Sequence, residues 1–224
     1  MKLITFLQTN KSVLFRSVLA TLFIAFVLLS CLVLFIPPKY LDLHISREIQ
    51  EKQTPGLNTL MIWISWLGRT PVSVVMVIIS SLCFLFLSYK KEAVLILSTL
   101  LSGVIGLGMK ILINRPRPSK DLVILLEETK YQSFPSGHVL FYTVFFGALI
   151  LIILRLKKIK YTLKIFLITL CLSMIFLGAF SRIYLGAHWF TDVVGGFILG
   201  TLCVLLMGYF YIGNSRKISE NNPL

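Results

Sequence analysis

Acidic residues are scarce in this chain: nine Asp and Glu stand against 22 Lys and Arg. Neither a carboxylate pair nor a Cys/His set offers a metal site. The four cysteines, Cys31, Cys83, Cys171 and Cys203, each sit inside an apolar run, and none has CxxC spacing. They imply no disulfide framework and read as small apolar side chains. Histidine occurs three times, at positions 44, 138 and 188. Charge of either sign is thin, at 14% of residues, where a water-soluble domain carries about a quarter. That shortage argues against a soluble domain.

Apolar residues take the place of the missing charge, at 57% of the chain, with a mean hydropathy of +0.88. The net charge of +13 would suit nucleic acid. However, the basic residues lie mostly between apolar runs, where loops facing the cytoplasm collect them. Nucleic acid is therefore not an expected partner. A spanning helix needs about 20 apolar residues, and six segments qualify: roughly 15–36, 71–88, 92–113, 138–154, 162–180 and 189–212. The first follows MKLITFLQTNKSVLFRS and lacks an A-x-A cleavage site, so it is expected to be retained as a span. Segment 57–67, LNTLMIWISWL, is too short to cross alone, and Trp63 and Trp66 suit the headgroup level. Thr70 is placed to cap the next helix and Pro71 to occupy its first turn.

The fold expected is all-α, a six-span bundle forming one domain over 1–213 with a tail at 214–224. Lys2, Lys11 and Arg16, Lys90 and Lys91, Arg155 to Lys164, and Arg216 and Lys217 fall on one face of such a bundle. The positive-inside rule makes that face cytoplasmic, with both termini inside. Segments 38–70, 114–137 and 181–188 then face outward. They carry cations too, which hints at another use for some of them.

Three clusters gather at this outer end. In KILINRPRP, Lys110 lies inside the end of an apolar span, and Pro116 and Pro118 stop the helix around Arg117. Taken singly, Lys110 reads as a snorkelling lysine, while proline-stiffened arginines can hold a planar oxyanion. In PSGH, Ser136 is a good N-cap and Gly137 permits close backbone approach. The first turn of the helix that follows is a ready anion site; a capped helix with an interfacial His138 is the plainer reading. In SRIYLGAHWFTD, His188 and Asp192 are four apart and share a face if helical, with Arg182 nearby. That pair would either stabilise a helix end or hold an imidazole in one tautomer. Together the clusters offer three cations, two histidines, a helix N-terminus and one backing carboxylate. Such a set suits a phosphate, whose transfer depends on positioning and charge neutralisation.

The pattern Lys110-x6-Arg117-Pro118, then Pro135-Ser136-Gly137-His138, then Ser181-Arg182-x5-His188-x3-Asp192 resembles the signature of the type 2 phosphatidic acid phosphatase superfamily. The resemblance covers residues 110–192. It implies that His188 attacks phosphorus to form a phosphohistidine, that Asp192 orients and stabilises His188, and that His138 protonates the leaving oxygen. Lys110, Arg117, Ser136, Gly137 and Arg182 would bind the phosphate, with no metal and no cofactor. The implied substrate is a lipid phosphate or pyrophosphate of the polyprenyl, phosphatidate or phosphatidylglycerophosphate class. The proline common in the His–Asp spacer is absent, and Phe190 stands in its place.

Other residues read as bland. His44 is expected to be solvated in a loop with Asp42 and Arg47. Arg69 and Arg115 add positive field without a catalytic role, and Glu127, Glu128 and Lys130 form a solvated lid edge. Gly196 and Gly200 allow close helix packing, with dimerisation a weaker option. Two other functions remain open: a phosphotransferase using the same site, and an anion transporter or binding protein. The transporter would place charge at mid-membrane, whereas here it clusters at one end.

Overall fold

The structure, a computed structural model, describes residues 11–127, 129, 131–157 and 159–220, with side chains for those from 12 to 213. The expectations for Lys2, Glu128, Lys130 and Lys158, and for the side chains of Lys11, Arg216 and Lys217, lie outside it. Nine helices and no strands occur among the described residues: α1 Lys11–Phe35, α2 Lys39–Gln50, α3 Pro55–Leu67, α4 Thr70–Phe86, α5 Lys90–Ser98, α6 Leu101–Ile113, α7 Gly137–Arg155, α8 Tyr161–Tyr184 and α9 Phe190–Glu220. The all-α expectation holds. The last helix runs past the boundary drawn at 213.

Helix α7 is apolar on every side, and so it is the buried one. Val139, Leu140, Tyr142 and Val144 are all but inaccessible, and α8 and α9 flank it. Between helices in lipid, apolar burial by itself gains little, because acyl chains are as apolar as leucine. Close approach matters more, and small residues provide it. A Cβ at Gly200 of α9 would lie 2.6 Å from Thr143 Cβ, and one at Gly196 would lie 2.9 Å from the Ser136 carbonyl oxygen. The Gly196–Gly200 step thus packs α9 on α7 within the chain.

Among the described residues, five stretches are long and apolar enough to cross a bilayer: Ser12–Phe35, Lys90–Ile113, Gly137–Arg155, Tyr161–Tyr184 and Phe190–Gly213. A sixth exists if α3 and α4, bent by 60° at their junction, form one span. The expected span at 71–88 thus forms a helix that joins segment 57–67 through a sharp bend. Helix α4 has 17 residues, about 26 Å at 1.5 Å per residue, slightly less than a bilayer core. Thr70 does not cap it; Arg69 is the cap residue, Thr70 is already helical, and Pro71 sits in the first turn as expected. The side-chain cap forms one helix earlier, where Thr54 accepts from the Leu57 N–H. The expected span 92–113 is present within Lys90–Ile113, with a short turn between α5 and α6. There Ser98, Thr99 and Ser102 turn their hydroxyls onto backbone carbonyls three residues back, a bonding mode that bends helices.

A second correction concerns 38–50. His44 is solvated as expected, but on helix α2, where it faces Glu48 and stacks on Tyr40. Asp42, Ser46 and Gln50 follow at four-residue steps and are buried. They form a polar stripe turned toward the bundle, not a solvated loop. Gln50 ties it down: its amide nitrogen donates to the Ile124 carbonyl at 2.8 Å, and its amide oxygen accepts from the Ile124 N–H at 3.0 Å.

Candidate active site

The end of α6, the start of α7, the end of α8 and the start of α9 meet at one end of the bundle, under the loop 114–136. Asn114, left-handed at φ 45°, ends α6, a role asparagine takes second to glycine. The chain then returns through the prolines. Gly186, at φ +70°, turns the chain between α8 and α9, and a Cβ there would meet the Ile124 carbonyl oxygen at 2.2 Å. Only glycine allows both that conformation and that contact. The Leu126 N–H donates to the Leu185 carbonyl across the same seam.

The structure brings together all eight residues singled out from the sequence. Lys110 lies beside Gly137, 3.8 Å from where a Cβ would stand, and its ammonium donates to the Gln132 carbonyl at 2.5 Å. Arg117 is held by the carbonyls of Tyr131, Gln132 and Ala187, and its Nη1 reaches His188 Nε2 at 3.1 Å. An arginine can only donate, so Nε2 is the acceptor and the proton of neutral His188 belongs on Nδ1. That nitrogen faces Asp192 Oδ2 at 3.4 Å and the Ser133 hydroxyl at 3.5 Å. Burial first, then Arg117, Lys110 and Arg182, hold the His188 pKa well below the usual 6.5. The imidazole is therefore neutral at pH 7 and carries a lone pair on Nε2. Burial, then Arg182, push the Arg117 guanidinium down to about 10, which leaves it charged.

Asp192 is fixed on every side. As the third residue of α9 it accepts from the Trp189 N–H at 2.9 Å, capping its own helix. Ser133 donates to the same oxygen, and Arg115 Nη1 donates to Oδ1 at 2.5 Å. Arg115 is thus buried in an ion pair and is no diffuse source of field. Its Nη2 meets Asp42 Oδ2 at 2.5 Å.

Arg182, fully buried, pairs through Nη1 with Glu127 Oε2 at 2.6 Å and with the Ser65 hydroxyl. Glu127 is consequently not a solvated lid edge. Burial pushes its carboxyl up, but Arg182, the Ser65 hydroxyl and Arg69 outweigh that and hold it below the usual range. The Ser136 hydroxyl makes no cap bond to its helix. Among the described residues, Ser136 Oγ, His138 Nε2, and Arg182 Nε and Nη2 are buried polar atoms with no hydrogen-bond partner. Each such orphan costs about 1–3 kcal/mol, so four at one end of a bundle mark a place for a polar ligand. Gly68, at the α3–α4 bend, packs on His138; a Cβ there would lie 2.4 Å from His138 Cδ2.

Sequence reasoning missed Asp42, Ser133, Ser65 and the part played by Glu127. Asp42 had a signal, the polar stripe at 42, 46 and 50. Ser133 and Glu127 sit in a loop without periodicity, and Ser65 is a single small polar residue in the apolar run of α3. No three His, Cys, Asp or Glu side chains among the described residues gather as a metal site would need.

Comparison with known proteins points to a family. A model of the PAP2 superfamily matches residues 91–216, more than half the chain. The chain is 30% identical over 195 residues to phosphatidylglycerophosphatase B of Bacillus subtilis, covering 85% of this chain and 93% of that protein. It is 29% identical over 165 residues to an undecaprenyl-diphosphatase of Sulfolobus acidocaldarius, covering 71% and 73% respectively. The crystal structure of a transmembrane PAP2 type phosphatidylglycerolphosphate phosphatase from Bacillus subtilis superposes with a TM-score of 0.73 at 25% identity, over 89% of this chain and 96% of that one.

Proposed function

Since the chain belongs to the PAP2 superfamily, we propose that it is an integral membrane phosphatase that hydrolyses a phosphate monoester or pyrophosphate on a lipid. The observation that carries this reading is the set of four unpartnered buried polar atoms on Ser136, His138 and Arg182. They lie beside the first turn of α7, whose free N–H groups favour an anion. The relatives named above are phosphatases of phosphorylated lipids, which points to the same substrate class.

In the mechanism, Arg182, Lys110, Arg117, the Ser136 hydroxyl and the Gly137 N–H surround the phosphoryl oxygens. The His188 Nε2 lone pair attacks phosphorus in line with the lipid oxygen. The P–O bond breaks as the P–N bond forms, and His138 gives a proton to the departing oxygen. Asp192 stabilises the resulting imidazolium charge through Nδ1–H. Water then attacks phosphorus, His138 takes its proton back, and inorganic phosphate leaves as the P–N bond breaks. Cations and amides carry the charge stabilisation at every step, so no metal is required.

The lipid chain has a place to lie. An apolar groove of about 580 Å³ runs between α4 and α7, lined by Trp66, Leu67, Val75, Met76, Phe145 and Leu149. Trp66 and Leu67 adjoin Gly68, which packs on His138, so the groove starts beside the proton donor. The loop cations favour a cytoplasmic position for both chain ends and an outward-facing site. The test is phosphate release by purified protein in detergent from a panel of lipid phosphates and pyrophosphates, with EDTA present and no acceptor added. We expect turnover on at least one. No release from any of them, or release only after an acceptor alcohol is supplied, would exclude the hydrolase.

A further inference from the structure

Behind the His188–Asp192 pair lies a second carboxylate, contributed by the amphipathic helix α2. Asp42 Oδ2 accepts from Arg115 Nη2 at 2.5 Å, and Arg115 Nη1 bonds Asp192 Oδ1 at 2.5 Å. Thr191 closes the ring: its N–H donates to Asp42 Oδ1 at 2.9 Å, and its hydroxyl lies 3.0 Å from both Asp42 oxygens and 2.8 Å from Arg115 Nη1. Asp42, Arg115 and Asp192 are 1%, 6% and 0% exposed, so solvent screens little of their mutual field.

We propose that Asp42 and Arg115 are positioning residues for Asp192, and that the charge of Asp42 keeps Asp192 effective toward His188. This rests on the reading of His188 and Asp192 given above. The geometry supplies the first half. Arg115 occupies Asp192 Oδ1, which leaves Oδ2 turned to the imidazole, and Asp42 holds the other Nη of the same planar guanidinium, so the donor to Asp192 is fixed in orientation as well as distance. Charge supplies the second half. Arg115 by itself would cancel Asp192, and the imidazolium formed on attack would face a neutral pair. With Asp42 the trio carries one net negative charge, buried where it counts most.

Asp42 also caps the first turn of α9 through the Thr191 N–H, and the test must separate that structural service from the electrostatic one. Asparagine caps about as well as aspartate, so Asp42→Asn removes the charge and spares the cap. We expect kcat to fall about 10–100-fold, the range typical of orienting partners, with KM within about threefold and thermal unfolding near wild type. Adding Arg115→Gln restores a single negative charge, and Gln can still donate to Asp192; that double variant should recover at least about tenfold in kcat over Asp42→Asn. A merely structural pair would show further loss in the double variant, and that result, or an unchanged kcat in Asp42→Asn, overturns the proposal. Asp192→Asn is assayed alongside. If it keeps wild-type kcat, the fault lies in the His188–Asp192 reading itself. Should Asp42→Asn not fold, the double variant is compared with Asp192→Asn. The proposal requires kcat at least about tenfold higher in the double variant; equality contradicts it.

Discussion

Glu127 and Arg182 form an ion pair at 2.6 Å, with side-chain exposures of 9% and 0%. Glu127 also takes the Ser65 hydroxyl at 2.6 Å and Arg69 Nε at 3.3 Å. An anionic substrate entering the cradle meets this carboxylate next to the arginine it must use. Removing the charge while keeping the shape should therefore tighten anion binding. For Glu127→Gln we expect the inhibition constant of inorganic phosphate to fall by about 3–10-fold, on the scale of one partly screened charge. A constant that stays level or rises means that Glu127 serves Arg182 more than it repels the ligand.

His188 is held neutral by burial and by Arg117, Lys110 and Arg182. Each factor disfavours the imidazolium, so the sign is downward: as pH falls through 6.5 the ring stays unprotonated, and it titrates only at lower pH. With ring-labelled histidine and His44 and His138 replaced, the NMR shift of His188 should remain at its neutral position at pH 6.5. Arg117→Gln removes one cation and should move the midpoint upward. Protonation at or above 6.5 in the parent, or no movement in the variant, counts against the electrostatic account of the nucleophile.

The α3–α4 bend holds His138 through Gly68, where a Cβ would stand 2.4 Å from the ring. Gly68→Ala must displace the imidazole, and a shift of about 1 Å in a reacting group costs on the order of 100-fold in rate. We expect a loss of that size in kcat, smaller for a substrate whose leaving group needs no proton. Equal losses on both substrates would show that the bend does something other than place the proton donor.

The groove between α4 and α7 should sense chain length. Val75 lines it and is half exposed, so tryptophan there can fill the space without disturbing the core. Val75→Trp should raise KM for a long-chain lipid phosphate several-fold, since the indole takes the space and the van der Waals contacts that the chain would have in the groove. KM for a short water-soluble phosphate ester should not change. If both substrates respond alike, the chain lies elsewhere.

The legible part of this molecule was the part written in local order. The long apolar runs announced α1, α7, α8 and α9 because a span must be continuous. The eight candidate residues stood out because they lie at or near helix ends, where capping chemistry and turn residues leave a trace, and because their spacing resembles a family signature. The partners that fix them were harder to see. Asp42 on α2 reaches Asp192 on α9 through Arg115 in the loop after α6, and Ser65 reaches Arg182 from α3; such contacts depend on packing, which has no period. Glu127 looked solvated because its loop is polar, and only the tertiary seam at Gly186 brings that loop over Arg182. The α3–α4 bend was hidden for a related reason. A span of 17 residues plus a shorter apolar helix looks like an interfacial segment followed by a span, until the angle between them is known.

In the proposed mechanism His188 Nε2 becomes covalently bonded to phosphorus. This step is tested by mixing enzyme with a lipid phosphate labelled in the phosphoryl group and quenching in alkaline detergent within one turnover. Label is expected on the protein, stable to alkali and lost in acid as a P–N bond is, mapping to His188 and absent from His188→Ala together with at least about 1,000-fold of the activity, as for other nucleophiles that act with a partner group. A His188→Ala variant that still turns over at the wild-type rate, or label on any other residue, would contradict it.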